Sequence, residues 1–183
     1  MKVCRFWLFL VAVLLAAETP DYLSARRKLD RIESDQLRAG ARVEFSLAEL
    51  NAYIAHEAPE GARNLRLEVV ARGKASGRAL VDFGKLERGQ GHQPGWLMSK
   101  LLDGERPISV TARIRSANGE TTVDVERVEI SGLLIDGRTL DFLIRDILLP
   151  LYPDAVVGRP FQLSHHIERL EVEPSGVGVV IGR

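Results

Sequence analysis

Two short stretches of this sequence carry side chains with an obvious capacity for chemistry, His165-His166 and His56-Glu57. Histidines can ligate a metal or move a proton near neutral pH. On an extended segment, adjacent side chains point to opposite faces, so His165 and His166 would not converge on one ion. His56-Glu57 begins like the zinc motif H-E-x-x-H, but the second histidine is missing. Serine precedes glycine at Ser76-Gly77, Ser131-Gly132 and Ser175-Gly176, never within G-x-S-x-G, and these read as turns. Gly89-Gln90-Gly91 is not followed by the helix-opening pattern of a phosphate cradle. Asp82, Asp124 and Asp136 fall on expected strands and turns, without a partner at catalytic spacing. The single cysteine, Cys4, precludes an intrachain disulfide and a cysteine-based zinc cluster. The expectation is a non-enzymatic protein with no catalytic residue, no metal and no cofactor.

Apolar chemistry is better represented. From Thr139, a natural cap, to Pro153 only Asp141, Arg145 and Asp146 interrupt Leu140, Phe142, Leu143, Ile144, Ile147, Leu148, Leu149, Leu151 and Tyr152. Asp141 and Arg145 are four apart and can pair on one helix face. The apolar arc of such a helix exceeds the roughly 100° that an ordinary surface helix buries. One reading is a central helix wrapped by sheet and by Trp96-Leu97. The other is a helix lining an apolar groove that admits acyl chains. The residues expected to line that groove are Trp96, Leu97, Leu140, Leu143, Ile144, Ile147, Leu148 and Leu151. Pro150 should kink or end the helix, because it cannot donate to the carbonyl four residues back.

The surrounding pattern reads mostly as antiparallel sheet. Leu65, Leu67, Val69 and Ala71 alternate with charged residues, as do Ala79, Val81 and Phe83, and then Ile108, Val110, Ala112 and Ile114. Lys74-Ala75-Ser76-Gly77 reads as a turn or bulged crossing. Asn118-Gly119 between alternating runs marks a hairpin, because both residues tolerate positive φ. Val123 and Val125 lie on one parity and Val128 and Ile130 on the other, which predicts a β-bulge near Glu126 or Arg127. Final strands are expected over Phe161 to Leu163, Ile167 to Val172 and Val177 to Ile181, with a turn at Pro174-Ser175-Gly176. A short strand over Ala41 to Phe45 precedes a helix opened by the capping box Ser46-Leu47-Ala48-Glu49. The expected fold class is α+β: a curved, mainly antiparallel six- to eight-strand sheet packed against two or three helices.

At the N-terminus, Lys2 and Arg5 precede twelve residues without a charge, Phe6 to Ala17. Twelve helical residues span roughly 18 Å, short of the roughly 30 Å hydrocarbon core of a bilayer, which favours a secretory signal over a short anchor. Residues 1–17 are thus a signal peptide or short anchor, 18–40 a polar helical linker and 41–183 a single α+β domain. The helix over Tyr22 to Arg38 is expected to be mostly solvated, with Arg26, Arg27 and Lys28 available to anionic headgroups. Lys and Arg total 25 and Asp and Glu total 25, mixed along the chain, and aromatics are 6%. This balance argues against nucleic-acid binding. The expected location is extracytoplasmic or periplasmic, either free after signal cleavage or held by an N-terminal anchor.

The order of these features is similar to small exported bacterial proteins. They share an export segment, a helix of the kind Phe45-Ser46-Leu47-Ala48-Glu49-Leu50-Asn51-Ala52-Tyr53-Ile54, a sheet, and a late helix with a Leu-Pro step as at Leu149-Pro150. More remotely, long helices laid in a curved antiparallel sheet resemble the tubular lipid-binding superfamily that includes bactericidal permeability-increasing proteins. The resemblance covers most of Ala41 to Gly182 in pattern and implies lipid binding, in a half-open groove given the short chain. It carries over no catalytic residue. Two functions follow as expectations: an exported envelope protein that binds a lipid or other apolar ligand, or an envelope protein–protein interaction or assembly module without a ligand.

Overall fold

A computed structural model describes residues 19–82, 85, 104–145, 149 and 156–183. The first helix, α1 (Pro20–Glu33), is fixed by a Thr19 cap whose side chain accepts from the Tyr22 amide, and by proline at its start. Its apolar residues are sparse but periodic, so Tyr22, Ala25 and Ile32 fall on one buried face. The polar composition is confined to the other side. Most of this helix is solvated, as expected, and the three- and four-residue spacing lets its one apolar face enter the core.

Strand β1 (Arg42–Ser46) runs directly into helix α2 (Leu47–His56). Ser46 is both the last residue of the strand and the N-cap. Its side chain accepts from the Glu49 amide at 3.1 Å, and its own amide donates to the Glu49 carboxylate at 2.8 Å. The expected capping box is therefore complete.

Strands β8 (Ile167–Glu173) and β9 (Gly176–Ile181) form an antiparallel three-stranded sheet with β1, in the order β1-β9-β8. Alternation places Val43 and Phe45 of β1 with Val179 and Ile181 of β9 against Ala25 and Ile32 of α1, all buried. This is the core cluster of the described residues. Leu29, Leu37, Leu50, Tyr53, Ile167 and Leu170 pack around it.

The second sheet is an antiparallel meander. It comprises β2 (Ala62–Ala71), β3 (Lys74–Asp82), β4 (Glu105–Ala117), β5 (Glu120–Ile130) and β6 (Leu133–Ile135) in that order. Strand β7 (Phe161–Gln162) pairs with the start of β5. The hairpin at Asn118-Gly119 forms as predicted, with φ of 54° and 77°. The bulge also lies where the parity switch put it: Thr111 pairs with Arg127 and Ala112 with Val125, leaving Glu126 extra. Lys74 to Gly77, read from sequence as a turn or bulged crossing, belong to β3, and the register of the crossing shifts between Val69 and Ala71 of β2. The turn is Arg72-Gly73, with Gly73 at φ 66°. A small residue in a strand looked like a turn because neither Gly77 nor Ser76 has strand propensity of its own. The chain is α+β as expected, with the strands divided between two sheets.

The sheets are joined edge to tip. The hairpin turns of the large sheet meet the outer edge of β8, where the Gly73 amide donates to Val172 O at 2.8 Å and the Gly119 amide to Glu168 O at 2.7 Å. Ser116 Oγ accepts from the Leu170 amide at 2.9 Å. Beyond β6 the chain enters helix α3 (Gly137–Leu143). Thr139 was expected to cap this helix; Asp136, extended and without a side-chain cap bond, is the N-cap, because the turn into the helix begins immediately after β6.

Candidate functional site

The register of the six-stranded sheet sorts its side chains onto two unlike faces. On one, Leu67 and Val69 of β2, Ala75, Ala79 and Val81 of β3 and Ile108, Val110, Ala112 and Ile114 of β4 align. Val123, Val125, Val128 and Ile130 of β5 and Ile135 of β6 continue the same face. The bulge at Glu126 lets both valine–isoleucine parities of β5 reach it. On the opposite face Glu68 pairs with Arg78, Lys74 and Arg113 each approach Glu126 at 2.6 Å, and Arg115 approaches Asp124 at 2.6 Å. The bonds from Lys74 and Arg113 hold the Glu126 carboxyl below the usual carboxylate range. Exposed pairs of this kind contribute about 0–1 kcal/mol each, so they keep this face wet rather than hold the sheet together.

Every one of the apolar residues just named is half-buried. That contrasts with the small sheet, where Val43, Phe45, Val172, Val179, Val180 and Ile181 are buried. Gly77 lies mid-face, opposite Val110, and a Cβ added there would meet no atom of the described residues within 4 Å. Among the described residues the face is therefore open at its centre. Fully burying one Val, Leu or Ile side chain is worth about 1.5–3 kcal/mol, and part of that remains unrealised at each position. At the β6 margin Leu133 is 66% exposed and pairs with Ile130.

Arg106 is the one charged residue that the register places on this face among the described strands, opposite Val81. Its Nε is buried and has no hydrogen-bond partner among the described residues. A buried donor left unmade costs about 1–3 kcal/mol.

No family model, no curated protein and no solved structure matches this chain. The functional reading therefore rests on geometry.

Of the residues expected to line a groove, Leu140 is buried on α3 at 8% exposure and Ile144, one turn on, is half-buried on the same side. Leu143 lies in α3. Trp96, Leu97, Ile147, Leu148 and Leu151 lie outside the described residues. The sheet face itself was read as strands but not as a site. Its signal was the shared parity of four alternating runs, visible only once register joins them. Arg106 carried a plainer signal, since it sits two residues before Ile108 on the apolar parity of its strand.

Two polar clusters lie elsewhere. His165 and His166 are not extended as expected; both adopt left-handed φ, 53° and 55°, in the turn before β8. His165 Nδ1 is 3.4 Å from Asp35 Oδ1, at the rim of a cleft of about 260 Å3 that Ile32, Leu37 and Ile181 also line. On the other flank, the His56 ring stacks on Tyr22 at 3.9 Å, and the Tyr22 hydroxyl donates to Glu57 Oε1 at 2.9 Å. Those contacts, Tyr22 first and then His56, hold the Glu57 carboxyl below its usual range. Neither cluster gathers three metal-binding side chains, and among the described residues no such group occurs. Among them, too, no helix is long and apolar enough to cross a membrane.

Proposed function

We propose that this is an exported envelope protein that binds a lipid or other apolar ligand on the open face of its six-stranded sheet, without catalysing a reaction. The observation that carries the reading is the half-burial of every apolar residue on this face, open at Gly77 among the described residues, beside a small sheet in which Val43, Phe45, Val172, Val179, Val180 and Ile181 are buried. A dry core and a ligand site use the same residue types, and incomplete burial of one contiguous face favours the ligand. The apolar run Phe6 to Ala17 supports export. Contact with an anionic membrane surface, expected at Arg26, Arg27 and Lys28, falls in this reading to exposed Arg26 and Arg27. Lys28 Nζ is held by Glu49. The test is titration of the full chain with Nile red, a neutral polarity-sensitive dye. The reading requires saturable blue-shifted emission that hexadecanol displaces; emission that never saturates, in a folded protein, defeats it.

A second reading, an interaction module without a ligand, is favoured by one observation. The outer strand β6 exposes Leu133 at 66% and Leu134 at 46%, on opposite faces of an edge that no other described strand pairs with. A partner strand added there would cover both. Cross-linking from position 134 to a partner in envelope extracts, with no effect of lipid depletion, would favour this reading.

A further inference from the structure

We infer that the ligand is an acyl chain with a carboxylate head, held at one end of the sheet face by Arg106; the inference rests on the apolar-ligand reading above. The face has two different ends. Where the Arg72-Gly73 and Asn118-Gly119 turns lie, it is shut: Thr121 is buried, Ser116 is bonded to the Leu170 amide, and the turn amides are tied to β8. At the other end stands Arg106, with Val81, Ile108 and Ile130 beside it. Everything the register places between the two ends is apolar.

A guanidinium nitrogen buried on an apolar face needs an acceptor, because its donor loses water there, and in Arg106 that nitrogen is Nε. The rest of the sheet shows what satisfied arginines look like. Arg63 meets Glu105, Arg78 meets Glu68, Arg113 meets Glu126 and Arg115 meets Asp124, all on the opposite face. Among the described residues Arg106 forms no such pair, and its buried Nε meets no acceptor. An oxyanion arriving with an apolar tail supplies that acceptor, in the forked geometry that guanidinium and carboxylate share.

The distances suit one molecule doing both things. Arg106 lies four residues from Val110 along β4, about 13 Å at strand rise. Val110 pairs with Gly77, where the face is open. A head at Arg106 therefore lays its chain across the open centre toward the closed end. One cation on the face matches one negative charge, which is why we commit to a carboxylate over a phosphate monoester, whose charge approaches two.

The test compares hexadecanoate, hexadecanol and hexadecyl phosphate as displacers of Nile red from the full chain. Hexadecanoate should displace the dye at a concentration at least tenfold lower than hexadecanol does. Arg106→Gln should erase that difference while leaving hexadecanol unchanged, and Arg138→Gln, on the exposed side of α3, should preserve it. If Arg106→Gln does not fold, the 15Nε resonance of Arg106 in the unaltered protein decides: it should shift with hexadecanoate and stay with hexadecanol. Equal displacement by the acid and the alcohol overturns the anchor and leaves the apolar site standing. Tighter displacement by hexadecyl phosphate than by hexadecanoate overturns the carboxylate. Failure of all three to displace removes the site and the anchor together.

Discussion

Asn51 on α2 holds Leu67 of β2 by both of its backbone groups: Oδ1 accepts from the Leu67 amide at 2.7 Å, and Nδ2 donates to its carbonyl at 2.9 Å. The side chain thus stands in for a neighbouring strand at the edge of the six-stranded sheet. An open edge of that length is a template for pairing with other chains. Asn51→Ala should cost about 1–3 kcal/mol, the penalty for two groups left short of partners. It should also increase self-association. Urea unfolding and light scattering read the two effects, and an unchanged midpoint would show that the bridge is incidental.

Glu49 makes a second prediction, with a sign. Burial on its own would raise the Glu49 carboxyl, but bonds from Lys28, Ser24 and the Ser46 amide outweigh it and hold the group at about 2, against an ordinary 4.5. A lowered folded-state value means that the stabilisation is complete above 4.5 and is lost as pH falls toward about 2. Glu49→Gln should remove about 2 kcal/mol near neutrality, discounted because Lys28 keeps solvent contact. It should also flatten the dependence of Tm on pH across that acid window. A parallel loss of Tm at every pH, acid window included, would contradict the assignment.

Filling Gly77 separates binding from stability. A side chain there meets open space, and valine has far better strand propensity than glycine. Gly77→Val should therefore raise stability by up to about 1 kcal/mol. It should also weaken Nile red binding several-fold by occupying the centre of the face. Stabilisation with binding intact would place any ligand elsewhere.

Gly176 shows the opposite behaviour. Its φ is 150°, and a Cβ would fall onto the Phe45 carbonyl across the β1–β9 pair. Gly176→Ala should destabilise by at least about 2 kcal/mol through overpacking and strain, with the loss visible as a lower thermal midpoint. A midpoint equal to that of the parent protein would mean that β1 and β9 separate more easily than their register implies.

Much of this architecture was legible from residue order alone, because its signals are local. The Ser46–Glu49 box, the Asn118-Gly119 hairpin and the parity switch around Glu126 each need only a few consecutive residues, and each formed as read. The final strands did so for the same reason. What escaped depends on long-range pairing. Tyr22, Ala25 and Ile32 look too few for a buried helix until β1 and β9 supply the surface that Ala25 and Ile32 meet, and α2 the Tyr53 and His56 rings on which Tyr22 stacks. His165 and His166 looked extended, since left-handed histidines give no sequence signal comparable to glycine. The sheet face is a property of register, and the unpaired Nε of Arg106 appears only when the neighbouring arginines have found their carboxylates.

The central claim is that the open sheet face holds an apolar molecule. Native mass spectrometry of the full chain purified from an exporting host, followed by organic extraction, tests it most directly. A reproducible bound lipid is expected at one per protein, lost in folded Gly77→Val. An apo mass that persists after incubation with hexadecanoate, in protein whose thermal midpoint shows it folded, would contradict it.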